Sequence, residues 1–124
     1  MAVLALDFPS ASFPSSATLD ADCDTTVETV SGSSLVIHSI EIDNTLNAAS
    51  EDVWLCLFNT TGSVTVGTTA PDMALPCEGG KRVTFASTTG FTMNTGLKIA
   101  CKTTGGTAGT TSPTNDVKVR ILYV

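Results

Sequence analysis

The clearest hydrophobic pattern of the chain lies in residues 35–58, and it predicts two β-strands joined by a polar turn. In the first strand, one face is expected to carry Val36, His38, Ile40 and Ile42, while polar residues such as Glu41 take the other. A two-residue period of this kind is typical of a strand with one buried face. The polar run 43–45 then ends the strand, because short polar side chains bond their own backbone.

The second strand, residues 53–58, is apolar on both faces. Val53, Leu55 and Leu57 alternate with three further residues, namely Trp54, Cys56 and Phe58. Strands of this kind are covered on both sides, by a second sheet or by a partner.

The rest of the chain repeats short alternating runs, at 64–66, 82–87, 97–102 and 116–124, between turns rich in Gly, Pro, Asn and Thr. No segment has a capped helical period. Eight to ten short strands predict an all-β fold, an antiparallel β-sandwich of jelly-roll or immunoglobulin-like type. The predicted core comprises Ile40, Ile42, Leu55, Leu57, Phe85, Ile99, Val119 and Ile121.

The chain divides into an extended N-terminal arm, residues 1–16, and a sandwich domain, residues 17–124. The arm contains two aromatic-proline pairs, Phe8-Pro9 and Phe13-Pro14. Proline fixes its own φ and favours an extended residue before it. The segment is interpreted either as an arm that grips a neighbouring subunit or as an edge strand and loop of the same domain.

Charge is scarce and unevenly distributed. Charged residues make up 15% of the chain, against about 25% in ordinary domains, which suggests a surface covered in an assembly. Residues 1–80 hold eleven acidic residues and no Lys or Arg, whereas residues 81–124 hold all six basic residues. The net charge of −6 argues against non-specific nucleic-acid binding. The sorting predicts pairing of basic strand faces (Lys98, Lys102, Lys118, Arg120) with acidic ones (Asp20, Asp22, Asp24, Glu41, Asp43).

The cysteines and acidic residues predict no metal or cofactor site. The four cysteines, at 23, 56, 77 and 101, form no Cys-x-x-Cys pair, and His38 is the only histidine. Free thiols are therefore expected, with a disulfide as the alternative. Asp20, Asp22 and Asp24 fall on one face if extended; this is interpreted as a solvated or salt-bridged face, with divalent-cation binding as the alternative.

No catalytic constellation is visible, so an enzyme is not predicted. His38 lies among apolar residues, no glycine pair has the context of a phosphate loop, and Glu51-Asp52 has no glycosidase signature. Trp54 and Tyr123 leave a carbohydrate-binding module as an alternative. No signal peptide or membrane span is visible, so synthesis in a cytoplasm is expected.

Several motifs resemble those of small structural proteins of tailed phages and prophages. They are SIEIDNTLN at 39–47, VTVGTTAPDMALPCEGG at 64–80, GFTMNTGLKIA at 90–100 and VKVRILYV at 117–124. The resemblance spans residues 35–124 and consists of turn and packing motifs.

The resemblance implies a virion component. We expect a capsid cement (decoration) protein that acts as a homotrimer on the outer capsid surface and bridges subunits of the major capsid protein. A tail, neck or fibre-anchoring component is the alternative. The predicted partner-binding residues are Phe8, Pro9, Phe13, Pro14 and Trp54.

Overall fold

The computed structural model describes residues 16–124, which form eight β-strands and no helix. The strands are β1 (Ser16–Cys23), β2 (Glu28–Ser31), β3 (Leu35–Asp43), β4 (Val53–Phe58), β5 (Met73–Cys77), β6 (Arg82–Met93), β7 (Leu97–Lys102) and β8 (Val117–Tyr123). They build two four-stranded antiparallel sheets, so the predicted all-β sandwich is confirmed.

The strand order identifies the type of sandwich. Sheet A has the order β1-β8-β3-β6 and sheet B the order β2-β7-β4-β5. The first strand therefore pairs with the last, the second with the seventh, the third with the sixth and the fourth with the fifth. A chain paired in this way is a long hairpin wrapped into two sheets, which is the jelly roll rather than the immunoglobulin-like arrangement.

The core lies between the two sheets and matches the predicted set closely. Seven of the eight predicted residues are fully buried there, and Phe85 is partly buried against them at the edge of sheet A. Because side chains alternate along a strand, the inward residues of β3, β4, β7 and β8 interdigitate in this single layer.

The predicted facing of β3 is wrong in its first half. Leu35 and Ile37 point into the core together with Ile40 and Ile42, whereas Val36 and His38 are only half-buried. The pairing register shifts between Ile37 and Ser39 on both neighbouring strands. A β-bulge inserts extra residues into the pairing and reverses the side-chain phase, which a strict two-residue count does not anticipate.

The outer face of sheet B is covered by the chain itself. Cys56 and Phe58 of β4 pack there with Ala100, beneath Val64 and Val66 of the β4–β5 connection. The prediction that β4 is covered on both faces is therefore confirmed. The predicted strand at 64–66 is wrong, because this segment folds over the sheet as a turn in which the Thr65 carbonyl accepts hydrogen bonds from two backbone N–H groups downstream.

Candidate interaction surfaces

The outer face of sheet A carries exposed apolar side chains that no described segment covers. Leu19 of β1 is 56% exposed and Leu122 of β8 is 40% exposed. Ala17 stands opposite Leu122, and exposed Ala86 of β6 lies two strands further across on the same face. We call this surface, defined by Ala17, Leu19, Ala86 and Leu122, the sheet A face.

An ion pair lies in the middle of the sheet A face. Arg120 Nη1 donates to Glu41 Oε1 at 2.6 Å, and Arg120 stands opposite Leu19 on the neighbouring strand. This contact confirms one predicted pairing of a basic with an acidic strand. Because both charges are satisfied locally, the face is electrically neutral at its centre.

The other predicted charge pairs are mostly replaced by different contacts. Asp43 stands opposite Lys118 in register but accepts a hydrogen bond from Arg82 Nη2 at 3.0 Å. Hydrogen bonds from Thr45, followed by Arg82, lower the pKa of the Asp43 carboxyl. Lys98 donates to the Gly62 carbonyl at 2.7 Å.

The predicted pairing of Lys102 with an acidic strand face is wrong. The side chain of Lys102 is 1% exposed, and Nζ donates to the carbonyls of Gly106, Thr107 and Ala108 at 2.7, 2.9 and 2.9 Å. The Thr- and Gly-rich connection between β7 and β8 therefore folds around one buried ammonium group. The ammonium organises the β7–β8 connection rather than binding a carboxylate.

Trp54 lies beside this connection, at a cleft of about 380 Å³ lined by Glu51, Asp52, Thr103 and Thr114, among others. The indole is half-buried, and Gly105 packs so closely against it that a Cβ there would lie 3.2 Å from Nε1. Glu51 Oε1 accepts hydrogen bonds from the Thr114 N–H and hydroxyl at 2.8 and 3.0 Å. Trp54 therefore supports a loop, and its predicted roles in partner or carbohydrate binding stay predictions.

Two buried amides close one end of the sandwich, and the sequence interpretation treated them only as part of a turn. Asn44 is 0% exposed; its Nδ2 lies 2.9 Å from the Glu51 carbonyl, and its Oδ1 accepts from Asn47 Nδ2 at 2.8 Å. Asn47 also bonds the backbone of Asn115 in both directions. The D-N-T-x-N spacing of residues 43–47 thus ties three connections together.

The acidic run of β1 does not form the single face that even spacing predicted. The register shifts between Asp20 and Cys23, so Asp22 is exposed while one oxygen of Asp20 is buried without a hydrogen-bond partner. Burial raises the pKa of the Asp20 carboxyl. Within residues 16–124, no group of three acidic, cysteine or histidine side chains is placed to hold a metal ion.

The four cysteines are buried free thiols. Cys23 lies beside Cys101, and their hydrogen bond, together with burial, raises the pKa of Cys23 well above its ordinary value. Burial raises the pKa of Cys56 and Cys77 as well. Cys23, Cys77 and Cys101 fill the core between the sheets as small apolar groups, and Cys56 packs on the outer face of sheet B.

Phe8, Pro9, Phe13 and Pro14 lie outside the described residues. Within the part of the chain that the structure describes, no helix is long and apolar enough to cross a bilayer. Comparison of the chain with protein-family models, curated proteins and solved structures finds no match.

Proposed function

We propose that the protein is a phage capsid cement protein that binds the outer surface of the shell as a homo-oligomer, most simply a trimer, and bridges subunits of the major capsid protein. The difference between the two sheet faces carries this proposal. Sheet B is covered by the chain's own connections, whereas no segment within residues 16–124 covers Leu19 and Leu122 on the sheet A face. An exposed apolar surface on the outer face of a sheet is suited to docking on another protein.

The chemistry of the sheet A face supports docking on another protein. Burying it removes apolar area from water at about 25 cal/mol per Å², less the cost of ordering the partners. The Arg120–Glu41 pair can enter the interface together, so that neither charge is left buried alone. Repetition of modest contacts around a symmetric oligomer raises the effective concentration of each site and gives firm attachment.

The overall composition and the motif resemblance favour the same role. The low charge of 15% suits a surface largely covered in an assembly. Proteins of this kind are made in the host cytoplasm and join the shell during or after its assembly. The resemblance of residues 39–47 and 90–100 to motifs of phage structural proteins supports a role in a virion.

A binding assay with two matched variants tests the proposal. Leu19→Asp places a charge on the sheet A face, and Leu46→Asp places one on a leucine of nearly equal exposure, 57%, in the β3–β4 turn. Each variant is added to shells that lack the protein, and the bound amount is measured by sedimentation. We expect Leu19→Asp to lose binding and Leu46→Asp to retain it. Equal binding by both variants would refute docking through this face.

A further inference from the structure

The two sheets leave a groove open between their edge strands β5 and β6. We call it the β5/β6 groove; it measures about 470 Å³ and is lined by Pro76, Cys77, Val83 and Phe85, with Glu78, Lys81 and Arg82 also contributing. Val83 and Phe85 pack against the core but are only partly buried. Their uncovered surface gives the groove its apolar floor.

The strand beside this groove has a free hydrogen-bonding edge. Within residues 16–124, β6 pairs only with β3, and β5 only with β4, because each is the last strand of its sheet. Pro76 lacks an N–H and so weakens β5 as a template, whereas residues 82–87 of β6 include no proline. An extended apolar segment can therefore add to β6 as a further strand.

The opposite side of the sandwich has different chemistry. The cleft between β1 and β2, about 320 Å³, is lined by Asp20, Asp22 and Glu28 along with neutral residues. An apolar segment bearing an acidic residue would be disfavoured there. The β5/β6 groove instead has an apolar floor and a rim of paired charges, where Lys81 lies 2.7 Å from Glu78 and Arg82 lies 3.0 Å from Asp43.

We propose that residues 3–9 of a neighbouring copy occupy the β5/β6 groove, adding a strand to β6. This inference rests on the homo-oligomer of the proposed function. In an extended strand Leu4, Leu6 and Phe8 fall on one face, which matches the apolar floor of the groove. Asp7 is the only charged side chain in residues 1–15 and falls on the other face of such a strand, where it can join the ion pairs of the rim, and Pro9 ends the added strand.

The position of β1 favours a neighbour's arm over the chain's own. The described chain begins at Ser16 on β1, at the edge of sheet A opposite β6. A strand added outside β6 lies four strand spacings from β1, about 19 Å sideways before any shift along the strands. Residues 10–15 reach about 25 Å when fully extended, so the chain's own arm would be held almost taut across the sheet A face. An arm from an adjacent subunit needs no such extension.

Photo-cross-linking tests the inference on the purified full-length protein. Benzoylphenylalanine replaces Phe8, the protein is irradiated, and adducts are separated on a denaturing gel and mapped by peptide mass spectrometry. We expect adducts between chains, within residues 76–85. Val83→Asp, on the groove side of β6, should abolish them. Thr84→Asp, exposed on the opposite side of the same strand, should leave them intact.

The outcomes separate this inference from the proposed function. Adducts confined to one chain, adducts outside residues 76–85, or adducts that survive Val83→Asp would overturn the inference, whatever the shell-binding result. The adducts are also mapped in the protein that carries no groove substitution. That map decides the inference even if Val83→Asp does not fold. Inter-chain adducts in the groove with no binding to shells would uphold the inference and reject the cement function.

Discussion

Replacing Lys102 with methionine tests how the β7–β8 connection is held. Methionine keeps the length of the side chain but removes the ammonium that bonds three carbonyls. Hydrogen bonds to a charged group each contribute about 1.5–3 kcal/mol, which would total well above 4 kcal/mol if they were additive. The substitution also removes the desolvation cost of a buried charge, several kcal/mol, so we expect the free energy of unfolding to fall by about 2–4 kcal/mol.

Lys98→Met is the matched control on the same strand and the same face. Its ammonium makes one hydrogen bond at an exposed site, so the loss should be at most about 1 kcal/mol. Urea denaturation measures both variants. Trp54, the only tryptophan, gives a local signal, since Gly105 packs on its indole. Lys102→Met should shift its emission to the red and increase quenching by acrylamide. Equal stability of the two variants, or an unchanged emission in Lys102→Met, would refute this role of the buried ammonium.

Three further substitutions test the core, the amide cluster and the buried carboxyl. Leu55→Ala should cost about 2–5 kcal/mol in urea denaturation because the site is fully buried; an unchanged midpoint would contradict the core assignment. Asn44→Ala should cost about 2–4 kcal/mol by leaving buried carbonyls unpaired, while Asn94→Ala, in an exposed turn, should be nearly neutral. Asp20→Asn should raise the melting temperature at pH 7. Because the pKa of Asp20 is higher in the folded than in the unfolded state, ionised Asp20 destabilises the fold at any pH above its unfolded-state pKa. This gain should vanish below about pH 3.9, and an equal gain at both pH values would rule out the carboxyl as its cause.

Local alternation was enough to predict most strands and the core. Ile40, Ile42, Leu55 and Leu57 were placed correctly because a half-buried strand needs an apolar residue at every second position. The choice between a jelly roll and an immunoglobulin-like sandwich depends on long-range pairing, above all of β1 with β8, about a hundred residues apart. No local pattern encodes that pairing.

The surfaces and buried polar groups were harder to predict. Lys102 looked like an outward-facing strand residue, and its burial depends on carbonyls four to six residues later folding back over it. The bulge near Ile37 reversed the facing of His38, since the register of neighbouring strands decides where extra residues are inserted. The uncovered sheet A face could be recognised only after the connections covering sheet B were known.

The number of copies per virion tests the proposed cement function most directly. Purified particles are separated on a denaturing gel, and the band of this protein is quantified against that of the major capsid protein. A cement protein should be present in amounts close to those of the major capsid protein, because it occupies sites repeated over the whole shell. A few copies per particle would contradict the cement function and assign the protein to the tail, the neck or a fibre anchor.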